Sequence, residues 1–215
     1  MYEERIVKEK ILKKIRAALV SNSPQAGSEI EPPVPYDTNT DLLLEFLKVI
    51  STEGARFFYA ENKIVFAEQL VTLFDNMKWD KAHYQDIQSY SFISEFQFPA
   101  EQVTNISPAV VLANLIQMCN CAIHTGEFVF YNQQIAVQRA LEVTNNLIIF
   151  FEAKNMTSSF ANAIKMVEQS TQSQCRDLFI TSVGQLLQMH NYNEHNQKVA
   201  DKSIYIFIVD ELPLA

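Results

Sequence analysis

The sequence predicts an α/β fold with a mostly parallel central sheet flanked by helices. Two apolar runs, Leu147–Phe151 and Ser203–Asp210, have the length and composition of strands that are buried on both faces. Between residues 41 and 77 a helical pattern, a short apolar strand and a second helical pattern follow one another. This order is typical of parallel strands joined by crossover helices. At 215 residues the chain is long enough for one large core, so we expect a single domain.

Composition and charge exclude several classes of protein. Hydrophobic residues make up 48% of the chain and charged residues 20%, which is typical of a globular protein in water. No apolar run approaches the roughly 18 residues of a membrane span, and the charged start lacks the apolar region of a secretion signal. We therefore expect a cytoplasmic protein without a membrane span. A formal net charge of −8 disfavours nucleic acid as a partner, because phosphate binding requires a basic surface.

The N-terminal segment differs in charge from the rest of the chain. Residues 1–20 predict an amphipathic helix, and residues 1–16 carry six Lys and Arg against three Glu, a net charge of +3. Residues 21–37 contain four prolines and predict a linker, so the α/β domain begins at residue 38. A basic helix on a linker also allows a third interpretation, in which the protein is a non-catalytic interaction module that docks a partner.

The remaining elements follow from periodicity and from breakers. Helices are predicted at 41–50, 63–77 and 135–143, and from residue 157 or 158 to 167. Strands are predicted at 55–59, 147–151, 177–181 and 203–210. Residues 78–106 are rich in aromatic side chains without a clean period and predict irregular strands and loops. Residues 106–118 fit either a helix or a buried strand, and residues 185–202 predict a polar loop with a helical start.

The most informative stretch is residues 119–131. It places His124, Thr125, Gly126 and Glu127 between an apolar end and the strand-like run Phe128–Tyr131. Glycine adopts positive φ readily, so a glycine between Thr and Glu indicates a tight turn that exposes polar side chains. An ordinary hairpin turn is the simplest interpretation. A functional site carried on the turn is the alternative.

Residues 122–130, Ala-Ile-His-Thr-Gly-Glu-Phe-Val-Phe, resemble the Ala-x-x-Thr-Gly-Thr motif and following apolar run of the LUD-domain family, the lactate-utilisation proteins of the LutC/YkgG type. The order of elements also resembles that family, from the basic N-terminal helix to the last apolar strand. The resemblance implies a fold of the NagB/RpiA/CoA-transferase type. It further implies an accessory subunit in the utilisation of L-lactate or another small organic acid, acting beside iron-sulfur partner subunits.

Some family positions are matched and others are not. Thr125, Gly126 and Arg139 match the family, which implies that they bind a small organic acid or another anionic ligand. Glu127 stands where the family has a second Thr. The family's Leu-Pro and His after the arginine are missing, and its Gly-Pro-Ser segment is replaced by the mostly apolar Ser182–Met189. The resemblance therefore implies a divergent member with an altered site.

Catalysis on the same fold is the alternative function. Enzymes with a similar fold use carboxylates as bases or as nucleophiles toward acyl groups, which makes Glu127 the candidate catalytic residue, with His124 as its acid–base partner. The substrate would then be a sugar phosphate or an acyl-CoA. Whether the protein is an enzyme stays open at this point. The chain has four glycines and no glycine-rich phosphate loop, so no nucleotide cofactor is predicted.

The cysteines and histidines of the sequence do not predict a metal site. The three cysteines, Cys119, Cys121 and Cys175, are too few for a cubane cluster with four thiolate ligands. His190 and His195 lie five residues apart in a polar stretch, which does not match the H-E-x-x-H spacing of a zinc helix.

Overall fold

The computed structural model describes residues 39–85, 87–103, 112–131, 136–171, 178–189 and 202–210. The predicted N-terminal helix and linker, Cys175, His190 and His195 lie outside these residues. The helices are α1 (Asn39–Thr52), α2 (Lys63–Met77), α3 (Ile87–Ser94), α4 (Ala136–Val143), α5 (Phe160–Thr171) and α6 (Val183–Gln188). The strands are β1 (Arg56–Ala60), β2 (Ala82–Tyr84), β3 (Ala100–Gln102), β4 (Leu112–Met118), β5 (Cys121–Ile123), β6 (Glu127–Tyr131), β7 (Thr144–Glu152), β8 (Met156–Thr157), β9 (Leu178–Ser182) and β10 (Ser203–Val209).

Six strands form a parallel sheet in the order β1-β10-β7-β4-β2-β3. The two predicted apolar strands lie side by side within this sheet, with Ile206 of β10 paired to Ile149 of β7. Both side chains are fully buried, as expected of strands that are covered on both faces. The predicted fold class, a mostly parallel central sheet flanked by helices, is confirmed.

Helices cover both faces of this sheet. On one face α1, α4 and α6 contribute to the larger core, where the Phe46 ring lies edge-on to Phe128 at 5.7 Å and to Phe151 at 5.6 Å. On the other face α2 and α3 contribute to a second core, where the Phe66 ring lies 5.0 Å from that of Phe207. Edge-to-face rings at such distances add to the stabilisation that burial provides.

A second sheet of four strands, in the order β8-β5-β6-β9, was not predicted from the sequence. β5 and β6 form an antiparallel hairpin, β6 pairs antiparallel with β9, and β5 pairs parallel with β8. One face of this sheet joins the α1 core through Phe128 and Phe130, and α5 covers the other face through Ala163 and Val167. The hairpin is therefore held between two layers of helix.

The segments that the sequence left open are now assigned. Within 78–103 the chain forms β2, α3 and β3, and the described part of 106–118 is the strand β4. β7 begins at Thr144, three residues earlier than predicted, because two polar side chains bond to the neighbouring strand. The Thr144 hydroxyl donates to the carbonyl of Leu112 at 3.3 Å, and the Asn146 amide donates to that of Ala113 at 3.0 Å. None of the described helices is long and apolar enough to cross a membrane.

Candidate functional site

The predicted turn is present at the tip of the β5–β6 hairpin. The Gly126 amide donates to the carbonyl of Ile123 at 2.9 Å, and Gly126 has a φ of +97°. A Cβ atom at this position would lie 2.6 Å from Cγ1 of Val49 on α1. Glycine is therefore needed at position 126 for two reasons, the backbone conformation and the close approach to the helix.

Thr125 and Glu127 form a local pair at the surface of this turn. The Thr125 hydroxyl, which is exposed, donates to Oε2 of the half-buried Glu127 carboxylate. The Glu127 backbone is paired with Ser182 across β6 and β9, which fixes the backbone from which the carboxylate extends. The threonine and the unexpected glutamate of the motif thus act as one hydrogen-bonded unit.

His124 is held beside a different carboxylate. Its Nε2 atom lies 3.8 Å from Oε2 of Glu45 on α1, an ion pair when the imidazole is protonated. The His124 amide donates to the carbonyl of Thr157 at 3.0 Å, which ties the turn to β8. The side chains of His124 and Glu45 are 19% and 37% exposed, so the pair is accessible from solvent. His124 therefore contacts Glu45. Its role as an acid–base partner of Glu127 stays a prediction.

Glu45 was not singled out from the sequence. In the sequence it is one of two acidic residues in an amphipathic helix, and only the tertiary fold brings it to the turn. Its contact with His124 makes it part of the candidate site.

Arg139 lies in α4, the helix that leads directly into β7. The neighbouring Ala140 and Leu141 are fully buried in the same core as α1. The ligand-binding role of Arg139 stays a prediction.

Backbone amides after a strand, such as those that follow β9, can bind an anion, but here the protein itself supplies their acceptors. The Gly184 amide donates to Oε2 of Glu53 at 3.0 Å, and the Ser182 amide donates to Oε1 of Gln185 at 3.0 Å. The Ser182 hydroxyl accepts a bond from the Gln185 backbone amide at 3.2 Å, which completes a capping box on α6. A carboxylate from α1's end thus stands where an external anion would bind.

Two of the cysteines are structural. Cys119 and Cys121 are fully buried, and the Cys119 thiol donates to the carbonyl of Cys121 at 3.0 Å. Burial raises the pKa of Cys119 far above its ordinary value and raises the pKa of Cys121 to about 12. Metals bind the thiolate, so such thiols are poor ligands. Among the described residues no group of three or more His, Cys, Asp and Glu is placed to hold a metal ion.

Neither a protein-family model nor a curated protein sequence matches the chain. Two solved structures are similar to it. A DUF162 family protein from Deinococcus radiodurans superposes with a TM-score of 0.56 at 11% identity, covering 82% of this chain and 100% of that one. A ribose 5-phosphate isomerase from Plasmodium falciparum is a more distant match, with a TM-score of 0.30 at 8% identity over 56% of this chain and 54% of that one.

DUF162 is the LUD-domain family, the same family that the central motif resembles. At 11% identity the structural likeness shows the fold and nothing about activity. The predicted resemblance is therefore confirmed at the level of the fold: this chain has the fold of a DUF162 protein.

Proposed function

We propose that the protein is a divergent LUD-type protein that acts as an accessory subunit in the utilisation of L-lactate or another small organic acid. The observation that carries this proposal is the placement of the Thr125-Gly126 motif. It lies on a turn fixed against α1, within a fold similar to that of a DUF162 protein. The turn presents a hydroxyl and a carboxylate at the surface, which is suited to ligand binding.

The accessory role is supported by the chemistry of the cysteines. An iron-sulfur cluster needs four ligands, usually thiolates, and this chain has three cysteines in total. Burial of Cys119 and Cys121 keeps both protonated, because it raises their pKa values. If lactate is oxidised with the help of iron-sulfur clusters, these clusters must be bound by partner subunits.

The charges at the turn limit the ligand. The oxygens of Thr125 and Glu127 can accept hydrogen bonds from a ligand hydroxyl such as that of a 2-hydroxy acid. The ligand's own carboxylate would be repelled by Glu127 and Glu45, so it requires a cation. We assign this role to Arg139, because a guanidinium binds a carboxylate bidentately.

A thermal-shift screen tests the proposal. The full chain is melted with lactate, pyruvate, other small carboxylates, sugar phosphates and CoA esters, and the screen is repeated with Arg139→Ala. Lys165→Ala, an exposed position on α5, is the matched control for removal of a cation. A ligand that binds only the folded protein adds about 2.7 kcal/mol at a hundredfold excess over its Kd. We expect small carboxylates to raise the Tm of the wild type and of Lys165→Ala, but not that of Arg139→Ala.

The other outcomes discriminate between the functions. A shift with sugar phosphates or CoA esters alone would favour an enzyme that uses Glu127, and Glu127→Gln would then abolish turnover. No shift with any compound would favour a protein that binds only partner proteins. A shift with lactate that persists in Arg139→Ala would contradict the assignment of the cation.

A further inference from the structure

The carboxyl ends of β2 and β4 form a topological switch point. From β2 the chain continues through α3 to β3, the outer neighbour of β2, whereas from β4 it continues to β7 on the other side. The helices of the two connections also cover opposite faces: Ile93 of α3 lies in the core of α2, and Leu141 of α4 lies in the core of α1. In open α/β sheets a crevice for ligands opens where the connections diverge in this way.

Gln85 directly follows β2 at this point. Both polar atoms of its side chain, Oε1 and Nε2, are buried, and neither forms a hydrogen bond within the part of the chain that the structure describes. Buried amides are nearly always paired, because an unmet donor or acceptor loses its bonds to water without replacement. The residue as a whole is half-buried, so the amide lies close beneath the surface. Among the described residues the Gln85 amide therefore lacks the partner that a bound ligand would supply.

The groups around Gln85 have their own partners and hold the end of β4 in place. Tyr84 is paired with Ile116, and continuing this register by one residue places Gln117 beside Gln85. The side-chain amide of Gln117 donates to the backbone carbonyl of Met118 at 3.3 Å. The fully buried hydroxyl of Ser89, in the first turn of α3, accepts a bond from the Met118 amide at 2.8 Å. The end of β4 that neighbours Gln85 in the sheet is thus held in place.

The side chains named at this end of the sheet, those of Gln85, Gln117 and Ser89, are two carboxamides and a hydroxyl, and none of them is ionised. A carboxamide offers a donor and an acceptor side by side, so its natural partner is a neutral edge with an acceptor and a donor in the same arrangement. Adenine and other nucleobases present such an edge, as does a ligand carboxamide. We propose that the β2–β4 switch point is a binding site for a ligand with a neutral amide-like edge, which the side chain of Gln85 recognises.

This site is separate from the hairpin turn, and its ligand differs in charge from the acid proposed there. The two proposals can therefore fail independently.

Substitution of Gln85 by Met tests the site, because methionine keeps the length of the side chain and removes its polar atoms. The full chain, Gln85→Met and the control Gln169→Met, at an exposed position on α5, are melted with and without adenosine and nicotinamide. Removing an unmet buried amide should leave the Tm of the ligand-free protein unchanged or raise it. The wild type and the control should bind adenosine or nicotinamide, and calorimetry should show binding to Gln85→Met weakened about tenfold or more. The compound that binds distinguishes a nucleobase from a carboxamide ligand.

Three results would overturn the proposal. A lower Tm for ligand-free Gln85→Met, with the control unchanged, would mean that a resident water satisfies the amide. Binding that is equally strong in Gln85→Met would place the ligand elsewhere. Failure of both compounds to bind the wild type would exclude this class of ligand. If Gln85→Met does not fold, Gln85→Asn, which moves the amide back by one methylene, gives the same binding comparison.

Discussion

Gly126→Ala is the most direct test of how the hairpin is positioned. Two costs add at this residue. An L-residue at a φ of +97° is strained by about 1–2 kcal/mol, and the new Cβ would lie 2.6 Å from Cγ1 of Val49. Relieving such a contact by moving side chain or backbone costs a further 1–3 kcal/mol or so. We expect the free energy of unfolding to fall by roughly 2–5 kcal/mol.

Gly54→Ala is a matched control for the backbone strain. Gly54 has a φ of +94°, nearly the same as that of Gly126, but its added Cβ would lie 4.0 Å from the nearest atom, on Leu187. This variant should therefore show the strain without the clash. Urea denaturation of both variants gives the difference in unfolding free energy, which we expect to be about 1–3 kcal/mol, with Gly126→Ala the less stable.

A double-mutant cycle assigns this difference to one contact. Val49→Ala removes Cγ1, the methyl group that the new Cβ would meet at 2.6 Å, so the loss caused by Gly126→Ala should be smaller in the Val49→Ala background. If Gly126→Ala is no less stable than Gly54→Ala, or if the two substitutions are additive, the hairpin does not pack on α1 as described.

Two further predictions concern buried titratable groups. Desolvation lowers the pKa of Lys202 from 10.5 to about 8, whereas the unfolded lysine keeps its proton until about pH 10.5, so the unfolded state binds more protons in this window. The free energy of unfolding of the wild type, relative to that of Lys202→Met, should therefore rise between pH 8 and 10.5. Urea denaturation of both proteins at pH 7 and pH 10 measures this change. The same difference between the two proteins at both pH values would contradict the prediction. Cys119 and Cys121 should react with a thiol reagent only after denaturation, because burial keeps them protonated; labelling of either in the native protein, read by mass spectrometry, would refute their structural role.

The sequence predicts best those elements whose signals are local. The helix at 63–77 is confirmed with the same bounds, since Asn62 caps it by accepting bonds from the amides of Ile64 and Val65, both at 3.0 Å. The apolar runs of β7 and β10 predict central strands because covering both faces of a parallel sheet requires continuous apolar sequence. In such segments the local pattern and the tertiary fold agree.

The second sheet was missed because its strands depend on distant partners. β5 has three residues and β8 has two, too few for any periodic pattern, and Ala122 is paired with Met156 far along the chain. The candidate site also combines a feature that the local sequence predicts with features that depend on the tertiary fold. The turn at Gly126 was predicted from its own neighbours, but the contact of His124 with Glu45 and the unmet amide of Gln85 arise only when separate elements meet.

Salt dependence separates the two proposed ligand sites. At the hairpin the proposed organic acid would lie near the carboxylates of Glu45 and Glu127. Its affinity should therefore change with ionic strength, because salt screens both its repulsion by these carboxylates and its attraction to the cation proposed at Arg139. At the switch point the proposed ligand would bind the amide of Gln85 through neutral hydrogen bonds, so its affinity should change little with ionic strength. A ligand confined to one site would respond to one variant only, so the pair of variants identifies the site whichever compound binds.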